Sequence, residues 1–173
     1  MYTEAYRDKA GGSIIRVVTS ESSDVSLTRV FDWTDGIVDH YYFKLASDLQ
    51  GQSTATRLNK VMFEQYRRSG LTAVTVHADI DIGGYTWASA GFGWDTRYRL
   101  TPAQQVMDLL PRFERAARND DERMLVATLQ DRLANGDVPT PGQLADLGHT
   151  VGVSDWLGKR AMLGSDWHGR MDL

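Results

Sequence analysis

Asp39 and His40 stand side by side in a largely apolar and aromatic run, residues 37–45, and either is able to take a proton from a reacting group, directly or through water. His40 is equally readable as a strand histidine that packs or faces solvent. A short turn follows, Gln50-Gly51-Gln52-Ser53-Thr54-Ala55, and leads into helix-like sequence. Such a turn presents unpaired backbone N–H groups and the positive end of a helix dipole, which suits a phosphate or pyrophosphate. Further on, the segment Gly83-Gly84-Tyr85-Thr86-Trp87-Ala88-Ser89-Ala90-Gly91-Phe92 reads as a short helix closed by Gly-Phe. It offers one phenol, Tyr85, that can give a proton, and one indole, Trp87, that does not serve as an acid. Asp79 and Asp81 can be read as a pair of metal ligands, but no histidine at fixed spacing completes the pattern, so no metal is expected. His77 lies inside a strand and reads as structural. Ser165, Asp166 and His168 are close in sequence, but a triad is assembled from separate elements and the Gly-x-Ser-x-Gly elbow is missing, so hydrolase chemistry is not expected.

These groups need elements to hold them. The β-branched run 13–19, the alternating run 25–33 and the run 37–45 read as three strands joined by short links, with Asp35-Gly36 as a hairpin turn. Ala55, Leu58, Met62 and Tyr66 share one helix face, and Gly70 stops that helix. Residues 72–78 return to strand periodicity, so strand, turn, helix and strand make a βαβ unit grafted onto an antiparallel meander. From Thr101 the pattern is helical. Thr101-Pro102-Ala103-Gln104 and Thr140-Pro141-Gly142-Gln143 are each an N-cap, a first-position proline and a capping-box glutamine. Between them lies a helix over 120–134 closed by Asn135-Gly136. Residues 156–173 return to glycine-spaced aromatic sequence ending in a strand. The expected fold class is α+β, one domain over residues 1–173 with a helical insertion at 101–150.

On Gln50, Gly51, Ser53 and Ala55, with Gly91 and Phe92 downstream, the chain resembles the GNAT superfamily of acyl-CoA-dependent N-acyltransferases. Its members carry a Gln/Arg-x-x-Gly-x-Gly/Ala turn after a central strand, then helix, strand and a short helix closed by Gly-Phe. The resemblance covers about residues 12–98, with the last strand at 164–173. It implies a mainly antiparallel sheet whose central strands splay, with acetyl-CoA or another acyl-CoA as co-substrate. The backbone of Gln50, Gly51, Gln52, Ser53, Thr54 and Ala55 would hold the pyrophosphate. A bulge near Leu45, Ala46 and Ser47 would let the strand pair with the pantetheine arm. Asp81 stands near the position of a coenzyme-contacting asparagine, and Trp87 at that of a frequent tyrosine. Tyr85 is the nearest phenol to replace it, although two residues on a helix are about 200° apart. Ser53 departs from the motif glycine, and the two helices that wall the acceptor site in relatives have no counterpart before Gly11, so residues 102–147 are expected to supply that wall.

The implied reaction is direct transfer to an amine of a small molecule, peptide or protein, with Tyr85, Asp39 and His40 as candidate catalytic groups. Two other outcomes are compatible with the residues: a non-catalytic module of the same fold, favoured by Ser53 and Trp87, and a toxin of this superfamily acting on aminoacyl-tRNA. The 173 residues carry a net charge of −4, which argues against nucleic acid as a default partner, Arg67-Arg68 and Lys159-Arg160 being the local exceptions. The absence of cysteine excludes disulfides, thiolate metal sites and a cysteine nucleophile. Residues 1–9 lack an apolar signal core, and no apolar stretch approaches the roughly 18 residues of a membrane span. The expectation is a cytoplasmic protein that does not engage membranes, with a homodimer among its compatible assemblies.

Overall fold

The computed structural model describes residues 2–7, 13–18, 25–50, 52–79 and 82–173. They divide into two compact units, Met1–Val76 with Arg170–Leu173, and His77–Gly169.

The first unit is built on a mixed five-stranded sheet. Strands β1 (Tyr2–Arg7), β2 (Ser13–Val18), β3 (Val25–Asp32) and β4 (Ile37–Leu45) pair antiparallel in chain order. Strand β1 is an addition to the sequence reading, which took the first nine residues only as a charged terminus. The β3–β4 turn forms because the Asp32 carboxylate accepts from the backbone N–H groups of Thr34 (2.9 Å) and Asp35 (3.0 Å). Gly36 then turns the chain at φ +68°, and its carbonyl accepts from Thr72 N at 2.7 Å. That bond brings the start of β5 (Ala73–Ala78) beside the start of β4, and the two strands run parallel, as the βαβ reading requires. Helix α1 (Thr54–Arg68) makes the crossover. It buries Tyr66 and Asn59, half-buries Leu58, Met62 and Phe63, and ends where Leu71 N returns to Tyr66 O.

The second unit carries α2 (Gly83–Ser89), β6 (Gly93–Trp94), α3 (Pro102–Ala116), α4 (Asp120–Ala134), α5 (Pro141–Ala145), α6 (Leu157–Met162) and the first residues of β7 (Trp167–Asp172). Both capping boxes are present: Thr101 and Thr140 accept from the N–H groups of Gln104 and Gln143, each at 3.2 Å, and the glutamine side chains return the bond. The apolar face of α3 (Val106, Leu109, Phe113) is buried in the unit's core with Phe92, Leu144, Leu157, Met162 and Trp167.

Helix α6 was not foreseen, since six residues hold too little periodicity to separate a helix from a loop. It packs so closely on α5 that a Cβ on Gly158 would stand 2.3 Å from the Leu144 carbonyl and 2.5 Å from that of Ala145. Arg112 of α3 satisfies the end of α6, donating to the carbonyls of Ala161 (3.0 Å) and Leu163 (2.6 Å). Among the described residues no helix is long and apolar enough to cross a membrane.

Candidate functional site

Parallel pairing between β4 and β5 extends over three residues, Ile37 to Asp39 against Ala73 to Thr75, and β4 continues to Leu45 bonded to β3. The opening therefore begins after Asp39, six residues earlier than expected. The bulge is displaced in the same direction. Thr28 pairs Tyr42 while Val30 pairs Asp39, so Arg29 alone faces two residues, His40 and Tyr41. The bulge is thus not at Leu45–Ser47, and Leu45 pairs regularly with Val25. Arg29 fastens it: its Nη1 donates to the Tyr42 carbonyl at 2.7 Å and to that of Thr28 at 3.0 Å.

Beyond Leu45 the chain folds into the expected turn. Ala46 opens a single 3-10 turn, Ser47–Leu49, closed by Leu49 N to Ala46 O at 3.0 Å. Gln50 Nε2 donates back to the Leu45 carbonyl at 2.9 Å, and Gln52 Nε2 to that of Asp48 at 2.6 Å. Ser53 then adopts φ +60°, the one non-glycine residue in the left-handed region among the described residues. That conformation is the one glycine adopts most readily. Its carbonyl accepts the bond from Arg57 N (3.0 Å), and no side chain caps α1. The N–H groups at Thr54 and Ala55 therefore lie in the first turn, where no intrahelical acceptor exists. Gly51 and Asp81 lie outside the described residues.

Of the proton-handling candidates in this unit, Asp39 is half-buried and accepts from Thr75 Oγ1 at 3.4 Å. His40 is only 3 % exposed. Its ring is turned into the core beneath α1, 5.7 Å from the rings of both Phe63 and Tyr66. A base that meets an incoming amine must reach it, so this burial corrects the reading of His40 as a catalytic group. Burial, followed by the Arg29 guanidinium, holds its pKa well below the ordinary histidine value. Burial likewise raises Tyr66, with Arg29 opposing, so the phenol stays protonated.

In the second unit Tyr85 is half-buried, 6.0 Å from the Trp156 ring, with Lys159 Nζ above both rings at 5.9 and 5.2 Å. Trp87 is buried edge-on to Phe92, so the two aromatic residues of α2 occupy different environments, as their spacing requires. A further cluster was not anticipated. His168 is stacked between Tyr98 (3.5 Å) and His77 (4.2 Å), the His77 and His168 rings being within 6° of parallel. His77 Nε2 lies 2.7 Å from Asp166 Oδ1, and its Nδ1 3.6 Å from Asp79. Burial and the His77 ring lower the His168 pKa, leaving it neutral at pH 7. Two traces of this cluster exist locally in the sequence: His77 and Asp79 are two apart, and so are Asp166 and His168.

The two basic pairs are engaged internally. Arg68 and Arg67 lie 3.0 and 3.7 Å from Glu64. Arg160 is bound to Glu122 at 2.6 Å, and Lys159 rests on Trp156. No protein-family model matches the chain, and no curated protein or solved structure is significantly similar to it.

Proposed function

We propose that the protein is a GNAT-like N-acyltransferase that moves an acyl group from acyl-CoA to an amine. The observation that carries the reading is the parallel β4–β5 pair that stops at Asp39 and Thr75 while β4 continues to Leu45. A strand half released in this way can offer the backbone of its last residues, 42–45, to an extended ligand such as pantetheine. The turn residues Gln52–Ala55, with Ser53 left-handed and α1 uncapped by a side chain, support pyrophosphate binding at the helix start.

In the proposed reaction the amine nitrogen attacks the thioester carbonyl, forming the C–N bond, and the carbonyl oxygen takes up negative charge. A backbone N–H between Phe43 and Ala46 stabilises that oxyanion. The C–S bond then breaks, and coenzyme A leaves as a thiolate or takes a proton from water. Asp39, acting directly or through water, accepts the proton lost by the amine. No covalent enzyme intermediate is needed, in keeping with a chain that has no cysteine.

The test is release of free thiol from acetyl-CoA in the presence of a panel of amines, with Thr54→Asp as comparison. A carboxylate in the first turn of α1 favours the helix dipole by about 0.3–1 kcal/mol, yet repels a pyrophosphate at the same place. The expected result is an unchanged or higher melting temperature with a KM for acetyl-CoA raised about tenfold or more, the equivalent of about 1.4 kcal/mol of lost binding. Thiol release with the same KM in Thr54→Asp contradicts the pyrophosphate site, and no release with any amine contradicts the activity.

A further inference from the structure

The second unit brings two histidines and a carboxylate to one spot. His77 near the end of β5, Asp166 just before β7 and His168 within it present one donor atom each, all within 4.8 Å of one another. His77 and Asp166 are 89 residues apart in sequence, so the fold alone assembles the group. Two of the chain's four histidines are committed to it.

We propose that His77, Asp166 and His168 form a binding site for a divalent first-row transition metal, for which Zn2+ is the probe. The donor set is the two-imidazole, one-carboxylate combination that such ions favour, and three protein ligands leave positions for solvent or substrate. Ligands that share an ion at about 2.1 Å stand roughly 3.4 Å apart in a tetrahedral site. The 2.7 Å separation of His77 Nε2 and Asp166 Oδ1 needs to open slightly, and the widest separation in the group needs to close by little more than 1 Å.

The supporting shell is already in place. His168 is fixed by its own backbone: its N–H donates to Gln105 Oε1 at 2.9 Å, and its carbonyl accepts from Asp95 N at 3.0 Å. Asp79 Oδ2 stands 3.6 Å from His77 Nδ1, the nitrogen turned away from Asp166, so that a tilt of the ring can bring the two into the carboxylate–histidine bond that orients metal-bound imidazoles. A lone pair lies in its ring plane, so one ion cannot serve two parallel rings. Loading therefore requires one ring to leave the stack. His77, whose side chain is 44 % exposed, is free to tilt, whereas His168 is held against Tyr98.

Asp166 and His168 also line a cavity of about 420 Å3, with Arg99, Asp108 and Arg115 on its walls. The open coordination positions on that side would hold water or the oxyanion of a small molecule, which the arginines would help to retain. All of these groups lie within the second unit, and the assignment is independent of coenzyme binding.

The experiment is a calorimetric titration of the full chain with Zn2+, paralleled by Co2+ followed in visible absorption. One ion per chain is expected. His77→Ala should weaken binding by about 100-fold or more and abolish the Co2+ bands, and Asp79→Asn should weaken it about tenfold, as loss of an outer-shell partner does. His149→Ala, outside the group, should bind as the parent does. Loading should also shift the Tyr98 and His168 ring proton resonances as the stack opens. Because His77 is exposed, its variant is expected to keep the parent's melting temperature, which separates loss of a ligand from loss of fold. Absence of binding, undiminished affinity in His77→Ala, or loss of affinity in His149→Ala overturns the proposal.

Discussion

At the scale of single residues, His40 and Ser53 show how the turn of β4 into α1 is held. His40 occupies the bulge but faces the core, and its folded pKa is depressed by burial. A depressed histidine binds its proton more readily in the unfolded chain, so stability is full above the unfolded value near 6.5 and falls as pH drops below it. Melting temperature measured from pH 8 to 5 should therefore decline through this window, and the decline should shrink in His40→Phe, which keeps a ring against Phe63 and Tyr66. A parallel decline in both proteins would assign the effect to other groups. Ser53 carries the cost of a left-handed conformation, about 1–2 kcal/mol for a residue with a Cβ. Glycine relieves it but frees the unfolded chain by about 0.5–1 kcal/mol. Ser53→Gly is accordingly expected to stabilise by roughly 0.5–1 kcal/mol in denaturant unfolding, the difference of those two terms. The same substitution removes a hydroxyl from the proposed pyrophosphate site, so coenzyme affinity should rise or hold.

At the scale of elements, what was legible in the sequence was what is decided locally. Both Thr-Pro-x-Gln segments start helices because the bonds that cap them join residues three apart. The β4–α1–β5 crossover was legible because strand and helix periods alternate on either side of a turn. The bulge was not, because it depends on how β3 and β4 align, and the carbonyl of Tyr42 that Arg29 reaches lies on the neighbouring strand. The joining of His77 to Asp166 and His168 was illegible for the same reason: it is made only by tertiary structure. Helix α6 is specified by a close approach rather than by its own pattern. Gly158→Ala should thus be costly although alanine is the better helix former, because its methyl meets the Leu144 and Ala145 carbonyls. A loss of about 1–3 kcal/mol is expected from overpacking, read from the shift in denaturation midpoint. A gain in stability would mean that α5 and α6 are not packed as closely as described.

At the scale of the whole molecule, two compact units divide the chemistry. The first offers an opened strand pair and an uncapped helix start, which suit a long anionic ligand. The second offers imidazoles, carboxylates and arginines around a cavity. With Arg67 and Arg68 facing Glu64 and Arg160 facing Glu122, little free positive charge remains for tRNA at the two places where basic residues adjoin in sequence. The acyltransferase reading therefore rests on coenzyme recognition, and one measurement addresses it most directly: thermal unfolding of the full chain across a titration of coenzyme A and acetyl-CoA, for the parent and for Thr54→Asp. The account predicts a saturable rise in melting temperature for the parent, equivalent to about 2.7 kcal/mol at 100 times Kd, and a much smaller rise for the variant at equal ligand. A melting temperature that does not respond to either ligand, or that responds equally in both proteins, contradicts it.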